Sequence, residues 1–268
     1  MRAGFPRPDR ATPFRGAYAG SSQVKEHPEH SSNRNAASGE GMLYVVATPI
    51  GNLEDISQRA LNVLRSVDLI LCEDTRHTRK LLSHYAISAR VESYHEHNER
   101  QKTHSLVERI QAGAQIALVS DAGTPTISDP GYPLLEALSH TEIAVVPIPG
   151  PSAVTALLSV SGLPTDRFVF EGFLPVKSGK RLRRLAELAA EERTIVLFES
   201  PYRIARTLTE CHTSWGDRRG CLGRELTKKF EEIRRGSLAD LCQWAQGRTF
   251  KGEIVLAVAG LGRERTRS

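Results

Sequence analysis

The chain lacks any apolar run close to the roughly 20 residues that a membrane-spanning helix needs. It also lacks the apolar stretch of a secretory signal peptide near its start. Its four cysteines, Cys72, Cys211, Cys221 and Cys242, show no CxxC spacing, which argues against a zinc site and against a disulfide scaffold. Scattered thiols are typical of a reducing compartment, so we expect a cytoplasmic protein without a membrane partner.

Nucleotide fingerprints are missing as well. No GxGxxG follows a predicted strand, and no GxxxxGK[ST] occurs anywhere, which disfavours a dinucleotide or ATP enzyme. The segment SYHEHNE places His95 and His97 in alternation, and on a strand they would share a face. HExxH spacing is absent and no third ligand is obvious, so we expect no metal site.

The net charge of +5 is misleading as a sign of nucleic-acid binding, because most of it comes from the two ends of the chain. Within the remainder, residues 42–161 carry an acidic excess and residues 162–260 a basic one. Such asymmetry sets the local potential even when the sum is small, and it suggests two domains with different partners. We expect no DNA partner.

The chain divides into four parts. Residues 1–41 are rich in Pro, Gly, Ser, His and Arg without periodicity, and they predict a disordered extension. Residues 42–161 predict an N-terminal α/β domain. The glycine and proline of the segment SGLPTDR then break a helix, and residues 162–260 form the C-terminal domain. Residues 261–268 are a basic tail.

Strands and helices alternate in the first domain, which predicts a parallel sheet. Its strands are expected near 43–48, 68–72, 90–94, 115–120 and 143–148, and its helices near 56–67 (with Asp55 as N-cap), 75–84, 98–112, 132–139 and 151–161. The second domain is expected to have strands near 168–173, 194–198, 221–225, 231–235 and 253–259, a basic helix and a helix over 201–211. Short spacing between some strands implies hairpins and a mixed sheet. The fold class is therefore α/β, with two α/β domains.

In the segment LVSDAGTPTISDPGYPL, the end of a predicted buried strand is followed by two carboxylates, two glycines and three prolines. Ligands bind at the carboxyl edge of open parallel sheets, so this loop is a candidate binding element. An ordinary loop, with Asp121 and Asp129 as turn residues, is the alternative. Three more loops are predicted at the same edge, TPIGNLED, CEDTRHT and IPGPSA, and four loops on one edge make a cleft.

Seven segments in order carry a family resemblance: LYVVATPIGNLEDISQRAL, EDTRHT, LVSDAGTPTISDPGYP, VPIPGPSA, DRFVFEGFLP, FESPYR and RELTKKFEE. Together they resemble the tetrapyrrole methylase superfamily, over residues 42–260. The resemblance implies S-adenosylmethionine in a cleft between two α/β domains, a homodimer and no metal. It also points to the branch that methylates a cytidine 2′-oxygen in small-subunit (16S) ribosomal RNA, either naked or in the assembled 30S subunit.

The resemblance places a set of residues at the cofactor cleft: Pro49, Gly123, Thr124, Pro125, Ser152, Glu199 and Ser200. The residues themselves support this. A sulfonium cation favours an acidic neighbourhood, which Glu73, Asp74, Asp121 and Asp129 would supply. Ser152 adds a hydroxyl beside the free N–H groups of a helix start, where a carboxylate could bind, although it could equally be a plain helix-start residue.

Methyl transfer to a ribose hydroxyl benefits from a general base or a neighbouring cation. The candidates are Glu73, Asp74 and Glu199 as base and Lys228 as cation, and the sequence does not choose among them. The expected RNA-binding residues are Lys177, Lys180, Arg181, Arg183, Arg184, His97 and Asn98. A solvated helix face is the alternative for the charge run. A tetrapyrrole C-methyltransferase and a non-catalytic ribosome-associated factor are the alternative functions.

Overall fold

The computed structural model describes residues 40–262. The predicted N-terminal extension and basic tail therefore lie almost wholly outside the described residues. Two five-stranded sheets form the body of the protein. No helix within the described range is long and apolar enough to cross a bilayer.

The first sheet is wholly parallel, as predicted, in the order β3-β2-β4-β1-β5. Its strands are β1 (Met42–Val46), β2 (Leu69–Cys72), β3 (Val91–Ser93), β4 (Gln115–Val119) and β5 (Ala144–Ile148). All four residues of β2 and four of the five in β4 are buried, because helices cover both faces of the sheet. The carboxyl ends of β1, β2 and β4 meet at one edge.

Four helices cover this sheet: α1 (Gln58–Ser66), α2 (Thr75–His84), α3 (Glu99–Gln111) and α4 (Tyr132–Leu138). Apolar side chains of α1 and α2 pack on one face, and those of α3 and α4 pack on the other. The result is a three-layer arrangement in which the sheet is the middle layer.

The second sheet is mixed, as predicted, in the order β6-β7-β10-β8-β9. Its strands are β6 (Phe168–Phe173), β7 (Thr194–Glu199), β8 (Arg219–Arg224), β9 (Glu232–Ser237) and β10 (Ile254–Val258). β6 and β7 run parallel, while β7, β10, β8 and β9 pair antiparallel. Strands β8 and β9, for which a short connection was predicted, pair antiparallel.

Helices also cover both faces of the second sheet. Helices α6 (Ser178–Leu188), α7 (Ile204–Trp215) and α8 (Leu238–Ala245) pack on one face. Helix α5 (Ala153–Ser161) packs on the other, through Val154, Leu157 and Leu158. The domain boundary after residue 161 stays a prediction, but α5, which precedes it, packs with the second sheet.

The structure corrects several local predictions. Asp55 does not cap α1; it ends a short 3-10 turn, and the Ser57 hydroxyl accepts the capping hydrogen bond instead. His95 and His97 do not alternate on a strand, because β3 ends at Ser93. Helix α8 was not predicted, although Ser237 and Asp240 form a capping box ahead of its apolar residues.

Candidate functional site

A cavity of about 370 Å³, here called the first cavity, lies between the two sheets. Its apolar wall comes from both halves of the chain and includes Ile50, Phe173, Phe198, Leu226 and Val255. Its polar groups are few and well defined: Asp121, Thr124, Ser128, Asp129, Ser152, Glu199, Ser200 and Glu253. An apolar cleft with a few convergent polar groups is typical of a small-molecule site.

The loop after β4 is held in place by a backbone bridge to the end of β1. The N–H of Thr48 donates to the Gly123 carbonyl at 2.9 Å, and the N–H of Gly123 donates back to the Thr48 carbonyl at 3.1 Å. Gly123 has φ +87°, a left-handed conformation that glycine adopts without strain. The loop therefore reaches the cavity along a path that depends on glycine at this position.

Seven of the residues that the sequence placed at the cleft line the first cavity: Asp121, Gly123, Thr124, Asp129, Ser152, Glu199 and Ser200. Pro49 and Lys228 line a neighbouring cavity instead. Pro125 is buried and lines neither. The roles of these residues stay predictions, but the fold brings most of them to one space.

Among the carboxylates of the first cavity, Asp129 has a strongly perturbed ionisation. Burial raises its pKa to about 6, and the negative charges of Glu73, Asp121 and Glu253 act in the same direction against a hydrogen bond with Ser120. Partial desolvation and the Asp121 carboxylate also raise the pKa of Glu73. Glu73 and Asp74 line neither cavity. A titratable group perturbed inside a cleft, as Asp129 is, is typical of a functional site.

Two other base candidates already have strong partners. The Asp74 carboxylate caps α2 and pairs with Arg76 at 2.9 Å, and this hydrogen bonding lowers its pKa to about 2. The Glu199 carboxylate is fully buried and accepts hydrogen bonds from Arg203 Nε at 2.8 Å and Thr207 Oγ1 at 2.6 Å. Both oxygens of Glu199 are therefore occupied by the protein itself.

Lys228 is also held by the protein. Its Nζ lies 2.9 Å from Glu225 Oε1 and 3.1 Å from Glu253 Oε2. Burial opposes the charged form, but hydrogen bonds to these two carboxylates raise the pKa of Lys228 overall. The Lys228 side chain passes so close to Gly51 that a Cβ at position 51 would lie 2.3 Å from Lys228 Cγ. Glycine at position 51 thus makes room for this lysine.

The neighbouring cavity, here called the second cavity, has a volume of about 290 Å³. It is lined by Thr48, Pro49, Ile50, Gly51, Leu53, His77, Lys80, Leu81, Asp121, Ala122, Lys228 and Glu253. Four of these residues also line the first cavity: Ile50, Asp121, Ala122 and Glu253. The two cavities are therefore neighbours with a common wall.

The sequence matches a known protein family. The sequence profile of the family Tetrapyrrole (Corrin/Porphyrin) Methylases matches residues 42–242. The chain belongs to this family. The predicted resemblance is thereby confirmed.

Three curated relatives have the same name, Ribosomal RNA small subunit methyltransferase I. The protein of Vibrio cholerae is 51% identical over 233 residues, which is 86% of this chain and 81% of the relative. That of Synechocystis is 52% identical over 221 residues, with 82% and 79% covered. That of Escherichia coli O157:H7 is 48% identical over 231 residues, with 85% and 81% covered.

Solved structures support the fold alone. The methyltransferase CobJ superposes with a TM-score of 0.62 at 17% identity, covering 83% of this chain and 95% of its own. Diphthine synthase gives 0.60 at 15% identity, covering 81% and 89%. A uroporphyrin-III C-methyl transferase from Thermus thermophilus, complexed with S-adenyl homocysteine, gives 0.57 at 17% identity, covering 81% and 97%.

The basic helix of this tetrapyrrole methylase is less exposed than its sequence suggested. Arg181 is 2% exposed, and its guanidinium forms a bidentate pair with Glu210 at 2.6 and 3.0 Å. The inclusion of Arg181 in an RNA-binding surface is therefore wrong, because a buried and paired guanidinium cannot contact a phosphate. Arg184 is half-buried and bonded to Glu171 and Glu187.

We expect Arg181→Gln to lower the free energy of unfolding by about 3 kcal/mol, because it leaves Glu210 buried without its main partner. The value lies at the low end for a broken buried pair because Glu210 keeps Arg206 at 2.8 Å. The matched control is Arg183→Gln on the same helix, which changes an exposed residue and should change stability by less than about 0.5 kcal/mol. Urea unfolding followed by circular dichroism measures both, and equal losses would contradict this assignment.

His97 and Asn98 lie away from both cavities. The Asn98 amide is used within its own turn: its Oδ1 accepts from the His95 N–H at 2.9 Å and its Nδ2 donates to the Ser93 carbonyl at 3.4 Å. His97 is exposed. Their suggested role in RNA binding stays a prediction, and for Asn98 the contacts indicate a structural role.

Sequence reasoning missed several residues of the two cavities. Phe173, Phe198 and Glu253 line the first cavity from strands and a loop of the second sheet, and no local motif marks them. His77 and Lys80 of α2 line the second cavity. The signal for these two was available, since His77, Lys80 and Leu81 are spaced to share one helix face.

Proposed function

We propose that the protein transfers a methyl group from S-adenosylmethionine to the 2′-oxygen of a cytidine in small-subunit ribosomal RNA. The observation that carries the proposal is about 50% identity with relatives named Ribosomal RNA small subunit methyltransferase I over about four fifths of their length. The two adjoining cavities and the exposed basic residues of α6 fit the same activity.

The first cavity has the chemistry that this cofactor needs. S-adenosylmethionine supplies an electrophilic methyl group on a sulfonium cation, which an acidic wall stabilises, and Asp121, Asp129 and Glu253 provide such a wall. Ser152 is the N-cap of α5, yet its hydroxyl makes no capping hydrogen bond, and the first N–H groups of a helix have no intrahelical partner. This end of the cavity suits the cofactor's carboxylate.

Besides binding the cofactor, the site must remove the proton of the ribose 2′-hydroxyl as the new oxygen–carbon bond forms. Of the carboxylates at the cavity, Asp129 is the best candidate for this role. Its raised pKa, near 6, makes it a stronger base than an ordinary carboxylate while leaving it largely ionised at neutral pH. Asp74 and Glu199 are less suited, because Arg76 and Arg203 already hold their carboxylates.

RNA is proposed to bind the remaining exposed cations of the basic helix. Lys177, Lys180 and Arg183 are exposed, and none of their side chains has a hydrogen-bond or ion-pair partner within residues 40–262. Unpaired cations on one surface attract phosphates and release counterions on binding. The surface proposed for RNA is therefore smaller than the charge run in the sequence.

The proposal is tested by mapping 2′-O-methylated cytidines in small-subunit RNA from cells with and without the gene. We expect one methylated position to disappear in the deletion strain and to be restored by adding purified protein and S-adenosylmethionine to the unmodified RNA or 30S subunits. Methylation of a tetrapyrrole but not of RNA would favour the alternative C-methyltransferase. Cofactor binding without transfer to either would favour a non-catalytic factor.

Replacing Lys177, Lys180 and Arg183 together by Gln should weaken RNA binding and flatten its dependence on log salt concentration by up to about 2 units, near 0.7 per lost phosphate contact. Cofactor affinity should not change, and the rate at saturating RNA should largely recover. Filter binding over a salt series measures the effect. An unaltered slope would identify these side chains as an ordinary solvated face.

A homodimer is proposed on the family resemblance, and a cytoplasmic location is proposed on the scattered thiols. Light scattering of the purified protein tests the first, and cell fractionation tests the second. Within the described residues, no three His, Cys, Asp or Glu side chains are grouped as they would be around a metal ion. Activity after treatment with a chelator tests whether the reaction needs one.

A further inference from the structure

The second cavity has a feature that the cofactor site does not explain. Helix α2 contributes the basic side chains His77 and Lys80 along one face, and the carboxylates Asp121 and Glu253 belong to the wall shared with the first cavity. The third basic residue of the lining, Lys228, is already paired with Glu225 and Glu253. No hydrogen bond or ion pair within residues 40–262 engages the His77 or Lys80 side chain. Two basic side chains without protein partners at the rim of a cavity are suited to bind an anion.

The shared wall is fixed in position by the fold. Asp121 Oδ1 accepts a hydrogen bond from the Asp74 N–H at 3.2 Å, which ties the loop after β4 to the start of α2. Lys228 bonds Glu253 from the second sheet, and Thr227 Oγ1 accepts from the Asn52 N–H at 3.0 Å. Loops from both halves of the chain therefore build the boundary between the cavities.

We infer that the second cavity binds the acceptor nucleotide, with its ribose at the shared wall and an adjacent phosphate on Lys80 and His77. This inference rests on the proposed function and names the part of the site that holds the RNA. A nucleotide has the matching polarity. Its ribose hydroxyl must reach past the shared wall toward Asp129 and the methyl group in the first cavity, and its phosphate needs a positively charged partner.

The size of the cavity agrees with this assignment. A volume of about 290 Å³ lies at the lower end of the range for small-ligand sites and suits one nucleotide unit better than a helix of RNA. Sequence-specific RNA recognition mostly targets single-stranded nucleotides whose bases are splayed out, so a single-nucleotide cavity next to the cofactor is expected.

Lys80→Gln tests the inference, and Arg79→Gln is its matched control. Both remove one exposed positive charge from α2, but only Lys80 lines the cavity. We expect Lys80→Gln to weaken binding of unmodified small-subunit RNA several-fold and to flatten its salt dependence by about 0.7 unit. Arg79→Gln should leave the slope at the wild-type value, and Lys80→Arg should restore it.

Calorimetry with S-adenosylhomocysteine should give the same affinity for all of these variants and the wild type, because the first cavity does not include α2. Equal behaviour of Lys80→Gln and Arg79→Gln, with an active wild type, would overturn the inference and leave the proposed function intact. Loss of cofactor affinity in Lys80→Gln would also overturn it. A wild type that methylates no RNA would instead refute the proposed function.

Discussion

We expect Asp129→Asn to lower kcat for RNA methylation by about two to four orders of magnitude, the usual contribution of a general base. The asparagine has the size of the aspartate but cannot accept the hydroxyl proton. Affinity for S-adenosylhomocysteine should change by no more than a few-fold, because the change leaves the cavity's shape intact. Single-turnover methylation with saturating RNA measures the effect, and Glu142→Gln, an exposed carboxylate outside both cavities, is the control.

The pH dependence separates a base from a residue that only shapes the cavity. The pKa of Asp129 is raised to about 6 by burial and by the neighbouring carboxylates of Glu73, Asp121 and Glu253. Below pH 6 the wild-type carboxylate is protonated, so the rate should fall as the pH is lowered. The residual rate of Asp129→Asn should lack this fall, and an unchanged acid limb in the variant would exclude Asp129 as the base.

The pH dependence of folding stability is an independent check, because the raised pKa of Asp129 fixes the direction of the change. Because the pKa of Asp129 is higher in the folded state than in the unfolded state, the folded state binds this proton more tightly. Ionisation of Asp129 therefore costs wild-type stability as the pH rises from about 4 through 6, and the cost persists above that range. Near pH 8 Asp129→Asn should be at least as stable as the wild type, so a loss of both rate and stability would indicate a structural role.

The first sheet could be predicted well because its signals are local. Buried strands such as β2 and β4 are apolar on both faces, and the helices between them have clear start residues such as Asp74. Parallel strands place their carboxyl ends at one edge, which is why the loops containing Asp121 and Ser152 were expected to meet. Helix α8 was missed because its capping box lies directly at the end of β9.

The chemistry of the site depends on contacts that no local pattern contains. Arg181 belongs to an exposed charge run by sequence, but its partner Glu210 lies 29 positions away on α7. The pKa of Asp129 is raised by burial and by carboxylates of its own loop, Asp121, and of two other segments of the chain, Glu73 and Glu253. The second cavity is lined by α2 and the loop around Gly51, so the spacing of His77 and Lys80 marks a shared helix face, whereas the cavity beside that face is seen only in the fold.

Replacing Gly123 by valine should weaken cofactor binding by roughly 5- to 30-fold. Gly123 has φ +87°, and a side chain in this left-handed region costs about 1–2 kcal/mol, more for a β-branched residue. In the free protein the loop can relieve the strain by leaving its native path. Binding must restore that path, so the strain is subtracted from the binding free energy, and about 1.4 kcal/mol corresponds to tenfold.

The variant Gly123→Ala separates the effect of backbone strain from the effect of side-chain size. A Cβ at this position would lie 3.4 Å from Ile50 Cγ2 and 3.7 Å from the Pro151 carbonyl oxygen, which is ordinary contact, so alanine adds strain with little crowding. The further methyl groups of valine project beside the cavity and should add to the loss. Gly179→Val is the control, because nothing lies within 4 Å of a Cβ there. Calorimetry with S-adenosylhomocysteine measures the series, and full affinity in a folded Gly123→Val protein would remove this loop from the cofactor site.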